Sequence, residues 1–124
     1  IVDIDNFKQV NDRYGHIFGD QVIVSVAQCL KNNVRGSDLI VRFGGDEFLI
    51  VLHQMNMEQT LRSAEKIRDA VSKLDLSVPD SDLKISVSVS IGVAVGADNW
   101  LELLAQADRS LFKAKARGKN IVEG

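Results

Sequence analysis

Leu39-Ile40-Val41-Arg42-Phe43-Gly44-Gly45-Asp46-Glu47-Phe48-Leu49-Ile50-Val51-Leu52 is the stretch that decides the fold. Two apolar runs, Leu39 to Phe43 and Phe48 to Leu52, flank Gly44-Gly45-Asp46-Glu47. This is the pattern of two strands folded back on each other through a glycine-rich turn. Two carboxylates therefore sit at a hairpin tip.

Upstream of the hairpin, Ile1 to Ile4 reads as the end of a buried strand, and Asp5-Asn6 offers an N-cap for a short helix running to about Tyr14. Gly15 ends that helix. Apolar residues at Val22, Ile23, Val26, Ala27 and Leu30 predict a second helix from Gly19 to about Asn33, with Gly36 beyond its end. Because the chain opens inside a strand, the start of that strand and a preceding dimerising or sensory region are expected to lie outside it.

Downstream, Met57 to Leu74 carries a helical stripe, and Pro79 falls in a polar loop. Ile85, Val87, Val89, Ile91, Val93 and Val95 alternate with small or polar residues, predicting one long strand with a single core face and a second face of mostly serine. Leu101 to Ala116 predicts the last helix, followed by a basic segment to Lys119 and a short strand at Ile121-Val122. The order predicts an α/β (α+β) sandwich, a central mainly antiparallel sheet flanked by helices.

At 124 residues and 45% hydrophobic content the chain fits a single domain, residues 1–124. A net charge of -2 gives no basic surface for a nucleic-acid polymer and no polybasic patch for a membrane, so any nucleotide chemistry is local. Cys29, the only cysteine, lies on an apolar helical stripe and is expected to be a core thiol. A disulfide framework is excluded, in keeping with a cytoplasmic location. No apolar run reaches membrane-spanning length.

Asp3 ends one strand, and Asp46 and Glu47 cap the hairpin. If those strands are neighbours, three carboxylates converge, and hard oxygen ligands at close quarters suit Mg²⁺ or Mn²⁺. The alternative is a solvated acidic turn, but the Gly44-Gly45 pair lets the backbone approach a ligand closely. Asp5 to Lys8 leads from strand to helix, so amides near Asn6, Phe7 and Lys8 can face phosphate oxygens, with the Lys8 ammonium beside them.

The run Gly44-Gly45-Asp46-Glu47-Phe48 spells the signature of the GGDEF family, a pentapeptide that chance supplies at roughly one position in three million, so the match is specific. The resemblance extends through Asp3-Ile4-Asp5-Asn6-Phe7-Lys8, Asn11-Asp12, Gly15-His16, Gly19-Asp20, Ser90-Ile91-Gly92-Val93-Ala94, Ala107-Asp108, and Lys115 to Gly118-Lys119-Asn120. The chain thus resembles diguanylate cyclase catalytic domains, which implies their palm-like nucleotide cyclase fold. It also implies the condensation of two GTP into cyclic di-GMP with release of pyrophosphate, by a homodimer.

The resemblance assigns residues as well. Asp46 and Glu47 are catalytic. Asp3 and Asp46 are metal ligands, the Ile4 carbonyl assists, and Glu47 is a further ligand or helps remove a proton. Asn6, Phe7, Lys8, Gly44 and Gly45 bind substrate, and Lys115 and Lys119 contact the distal phosphates. Lys119 stands where the family more often has arginine, keeping charge without a fork.

Asp20 resembles the family's guanine reader, since a carboxylate accepts both N1–H and the 2-amino group, and Asn11 completes it. Helix capping is the plainer alternative for both. Arg35-Gly36-Ser37-Asp38, separated from Gly44 by the five residues Leu39 to Phe43, matches the RxxD site where the family binds its own product. Lys66 falls where a second arginine is common, implying weaker inhibition. His16 is expected to be a structural turn residue, and Trp100 and Phe112 are expected to pack, Phe112 replacing a usual tyrosine. Two rival readings remain: a non-catalytic receptor for GTP or cyclic di-GMP, and a structural or dimerisation module.

Overall fold

A computed structural model describes residues 1–124. In chain order the elements are β1 (Val2–Ile4), α1 (Phe7–Tyr14), α2 (His16–Asn32), β2 (Leu39–Arg42), β3 (Glu47–Val51), α3 (Met57–Ser72), β4 (Leu76–Ser77), β5 (Lys84–Ile85), β6 (Val89–Gly92), α4 (Trp100–Ala116) and β7 (Val122–Glu123). Five strands form one sheet in the order β2-β3-β1-β6-β7. Every neighbouring pair is antiparallel except β6 and β7. The mainly antiparallel sandwich read from the sequence is the one observed.

The pleat sends alternate residues to opposite faces. Val2 and Ile4 of β1, Phe48 of β3, and Val89 and Ile91 of β6 join the main core with Val22, Val26 and Leu30 of α2 and Ala64, Ile67 and Val71 of α3. Cys29 is buried there as a free thiol. Each buried Val, Ile or Leu side chain contributes about 1.5–3 kcal/mol relative to exposure. On the other face Ile1 packs with Ala107 and Leu111 of α4. A Cβ on Gly92 would stand 2.2 Å from the Ala107 carbonyl oxygen, so α4 rests directly on β6 backbone.

Local signals set the helix ends. Asn56 and Gln59 form a reciprocal capping box at α3, and the Asn99 side chain accepts from the Glu102 amide at α4. Gly15, at φ 88°, closes α1 and opens α2, so α2 begins at His16 rather than Gly19. His16 is therefore an exposed first-turn helix residue, not a turn residue.

The long strand expected over residues 85–95 is divided. Ile85 pairs with Leu76 in a separate two-stranded sheet, and the main sheet takes only Val89–Gly92. The cause lies in the partner: β1 ends at Ile4, a last backbone bond runs from the Asp5 N–H to the Ser88 carbonyl at 2.9 Å, and the chain then turns away at Asn6, φ 57°, leaving residues 86 and 87 no strand to continue against. Along the serine face burial increases from Ser86, which is exposed, through Ser88 to Ser90, which is fully buried. Trp100 and Phe112 were expected to pack, but Phe112 is 74% exposed and Trp100 half exposed, because α4 turns its Ala107 and Leu111 side to the sheet.

Candidate active site

Asp3 lies directly opposite Glu47 across the β1–β3 ladder. Glu47 is thus the first residue of β3, not part of the turn. The Ile4 N–H donates to the Asp46 carbonyl at 3.0 Å, fastening the metal-ligand candidates of β1 to the hairpin turn. The turn itself closes through the Phe43 and Gly44 amides, which both donate to the Glu47 carbonyl at 2.8 and 3.2 Å. Arg42 holds its far side, donating from Nε to the Gly44 carbonyl at 3.2 Å and from Nη2 to that of Gly45 at 2.7 Å.

Burial pushes the Asp3 carboxyl up to about 6; Lys115 opposes the shift, and the charges of Asp46 and Glu47 add to it. Burial also raises Glu47, helped by Asp46 and by Asp108 of α4. Mutual repulsion among hard oxygen donors marks a place for a cation. No three carboxylate, imidazole or thiol groups of the chain stand close enough together to hold a metal ion by themselves. The spacing of Asp3, Asp46 and Glu47 follows from strand pairing and turn geometry. The donor set still fits Mg²⁺ or Mn²⁺, since such ions are commonly held by one or two carboxylates plus phosphate oxygens.

Beside this cluster α1 begins. Its first-turn amides have no intrahelical acceptor, and no acidic residue occupies that turn, so an anion is favoured there. Asn6 is the N-cap by position but makes no capping hydrogen bond with its side chain. Its Oδ1 accepts from Lys119 Nζ at 2.7 Å instead. Lys115 Nζ lies 2.8 Å from Asp5 Oδ1 and 3.3 Å from Asp3 Oδ1. The two lysines, 110 and 113 residues from Asp5 and Asn6 in sequence, therefore flank the β1–α1 junction; Phe7 is partly buried there and Lys8 exposed.

Asn11 on α1 lies against Gly19 of α2, the residue before Asp20. The Asn11 Oδ1 is buried without a hydrogen-bond partner, and a Cβ on Gly19 would stand 1.7 Å from it. Gly19 is needed here for close approach. Asp20 sits inside α2, four residues past its start, and is exposed, so the capping alternative for it does not apply.

Arg35 and Asp38 are also brought together, but not as two free ligands. The Asp38 side chain, 1% exposed, accepts from the Arg35 amide at 2.9 Å and the His53 amide at 3.3 Å, and pairs with the Arg35 guanidinium at 3.5 Å. Burial alone would raise its carboxyl, yet these backbone donors and Arg35 hold it below the usual carboxylate range. Arg35 remains exposed and donates to the His53 carbonyl at 2.6 Å. Lys66 is exposed on α3 and makes no ion pair.

Several residues escaped the sequence reading as functional candidates: Asp5 beneath Lys115, Arg42 on the glycine turn, Asp108 near Glu47, and Arg68, which donates to Asn120 Oδ1 at 2.9 Å. Asp5 lay inside a motif but looked like a helix cap. Arg42 alone carried a local signal, a cation two and three residues from the glycine pair.

Comparison with known proteins agrees with this geometry. The family described as Diguanylate cyclase, GGDEF domain, matches residues 1–121. Diguanylate cyclase DosC of Escherichia coli strain K12 is 44% identical over 125 residues, covering 99% of this chain and 27% of DosC. Response regulator PleD of Caulobacter vibrioides strain NA1000 / CB15N is 40% identical over 127 residues, covering 100% of this chain and 28% of PleD. The chain thus spans just over a quarter of the length of these relatives. Among solved structures, the GGDEF domain of DgcB from Caulobacter crescentus, in complex with c-di-GMP, has a TM-score of 0.93 at 30% identity, covering 98% of this chain and 73% of that one. The active GGEEF domain of a diguanylate cyclase from Vibrio cholerae has a TM-score of 0.86 at 30% identity, covering 98% and 78%. With its signature turn set against β1 and the match running through residues 1–121, the chain belongs to the diguanylate cyclase GGDEF-domain family.

Proposed function

We propose that this chain is the catalytic domain of a diguanylate cyclase that condenses two GTP into cyclic di-GMP. The observation that carries the reading is the joining of a repelling carboxylate pair, Asp3 opposite Glu47 with Asp46 beside them, to an anion-ready helix start flanked by Lys115 and Lys119. One side attracts cations and the other phosphate. A triphosphate with its metal needs both.

The triphosphate lies along the α1 first turn, against the amides of Asn6, Phe7 and Lys8 and near Gly44-Gly45, with Lys115 and Lys119 at its distal end. Guanine reaches Asp20, which accepts its N1–H and 2-amino protons, and Asn11, whose unpartnered oxygen supports a polar role. Asp3, Asp46 and the Ile4 carbonyl would hold Mg²⁺ or Mn²⁺, which supplies neutralisation of phosphate charge and acidifies the attacking hydroxyl.

Two such domains face each other as a homodimer, so that each GTP 3′-hydroxyl forms an ester bond to the α-phosphorus of the other as the bond to pyrophosphate breaks. The hydroxyl proton passes to Glu47, whose raised affinity for protons supports that role. The residues otherwise contribute position and charge stabilisation. Cyclic di-GMP inhibits by binding Arg35, with Asp38 fixing that arginine and Lys66 adding charge. No helix is long and apolar enough to cross a membrane, and we place the domain in the cytoplasm, where GTP is abundant.

Incubation with GTP and Mg²⁺ over a range of enzyme concentrations, followed by mass spectrometry, tests this. Cyclic di-GMP with two pyrophosphates per product, at a rate per enzyme that rises with concentration, is expected. Tight GTP binding without product at any concentration would favour the non-catalytic receptor.

A further inference from the structure

The Asp5 carboxylate is almost fully buried and receives four donors from segments far apart in the chain. Ser88 and Ser90 each donate a hydroxyl at 2.7 Å, Lys115 its ammonium at 2.8 Å, and Asn120 its backbone N–H at 3.0 Å. A charge taken out of water is tolerated only with such compensation. Two of the four donors come from the segment that carries both phosphate-facing lysines.

That segment is strained. Lys119 and Asn120 are consecutive non-glycine residues in the left-handed region, at φ 66° and 53°. Two such residues in succession persist only where the surroundings hold them. The enforcement is visible at Asn120: its N–H is held by Asp5 and by Ser90 Oγ at 3.2 Å, and its Oδ1 by Arg68 Nη1 at 2.9 Å. Arg68 is itself gripped by both oxygens of Glu65. The bend so fixed carries Lys119 Nζ to Asn6, beside the first turn of α1.

We propose that Asp5 is a positioning residue for triphosphate recognition, fixing Lys115 directly and Lys119 through the Asn120 turn, with Arg68 bracing that turn from α3. Lysine is a flexible point charge, so an ammonium held in place before substrate arrives costs less rotamer freedom on binding. Asp5 touches no phosphate in this role. It acts through the lysines, and the inference rests on their assignment to phosphate under the proposed function.

The test compares binding of GTP and of GMP, in Mg²⁺, to the whole chain and to Asp5→Asn, Arg68→Met and Lys115→Met variants by calorimetry. Asp5→Asn and Arg68→Met are expected to weaken GTP about tenfold, the scale of a lost charge-assisted contact, while GMP affinity changes less than about twofold. In a Lys115→Met background, Asp5→Asn is expected to keep only the part of its effect that runs through Lys119, so that the two effects add to less than their sum. If Asp5→Asn does not fold, Arg68→Met, which removes no buried carboxylate, carries the same expectation. Equal weakening of GTP and GMP, or effects of Asp5→Asn and Lys115→Met that simply multiply, would mean that Asp5 only stabilises the fold. A wild-type chain that binds GMP as tightly as GTP would instead overturn the phosphate assignment itself, and this inference with it.

Discussion

Asp3 and Glu47 stand directly opposite each other on adjacent antiparallel strands, an arrangement in which like charges destabilise the sheet. The fold therefore holds an electrostatic conflict at its candidate metal site, only partly offset by Lys115 at 3.3 Å from Asp3.

That conflict has a signed consequence for Asp3. Its carboxyl titrates at about 6 in the folded chain against 3.8 ordinarily, so the folded state binds the proton more tightly than the unfolded state. Between those values stability falls as pH rises, by at most about 3 kcal/mol. In chelator, Asp3→Asn should thus be more stable than wild type at pH 7, with the advantage shrinking from pH 6 towards 4. Added Mg²⁺ should stabilise wild type far more than the variant, and cyclic di-GMP synthesis should be lost. Thermal melts across pH, with and without Mg²⁺, check all three signs; a variant less stable than wild type at pH 7 would contradict the repulsion.

Guanine selectivity should reside in Asp20. It is exposed inside α2 and has no capping duty, so Asp20→Ala should leave the melting temperature nearly unchanged. GTP affinity should drop about tenfold or more through loss of paired acceptors, whereas weak ATP binding should hardly move. Competition binding with the two nucleotides measures the ratio, and a parallel loss for both would remove Asp20 from the guanine site.

Product inhibition should depend on Arg35 more than on Asp38 as a direct contact. Asp38 is occupied by two backbone amides, so Asp38→Asn should loosen the turn and weaken inhibition indirectly, while Arg35→Ala should abolish it. Lys66→Arg should strengthen inhibition by restoring a fork. Dose–response curves for cyclic di-GMP against turnover provide the comparison. Unchanged inhibition in Arg35→Ala would leave the site without a function here.

How far such residues could be read from sequence depends on how local their partners are. The hairpin and the helix stripes follow from patterns spanning a few residues, and they are where expected; that β1 and β3 are neighbours, the condition on which the meeting of Asp3 with the hairpin depended, is decided only by the fold. Asp5 does not: its serine, lysine and asparagine partners lie 83 to 115 residues away, and locally it looks like a cap before α1. The Arg68–Asn120 brace spans 52 residues and is equally silent. Alternation predicted a strand from Ile85 onward, but a strand ends where its partner ends, and β1 is only three residues long. Apolar identity likewise placed Trp100 and Phe112 inside, though only the packed helix decides which side faces the sheet.

Gly19 offers the sharpest test of the guanine side. An added Cβ would lie 1.7 Å from Asn11 Oδ1 and 3.4 Å from a Phe7 ring carbon, so Gly19→Ala must displace the Asn11 side chain. The clash should cost about 1–3 kcal/mol, outweighing the helix preference for alanine over glycine of about 1 kcal/mol. Removing the obstacle should reverse the sign: in an Asn11→Ala background, Gly19→Ala should be neutral or stabilising by up to about 1 kcal/mol. Guanine affinity should fall in Gly19→Ala as it does in Asn11→Ala, and the double variant should bind no worse than either. Urea unfolding of the four proteins gives the stability cycle, and GTP titration gives the binding cycle. A Gly19→Ala effect of the same size and sign in both backgrounds would show that Asn11 does not rest on Gly19.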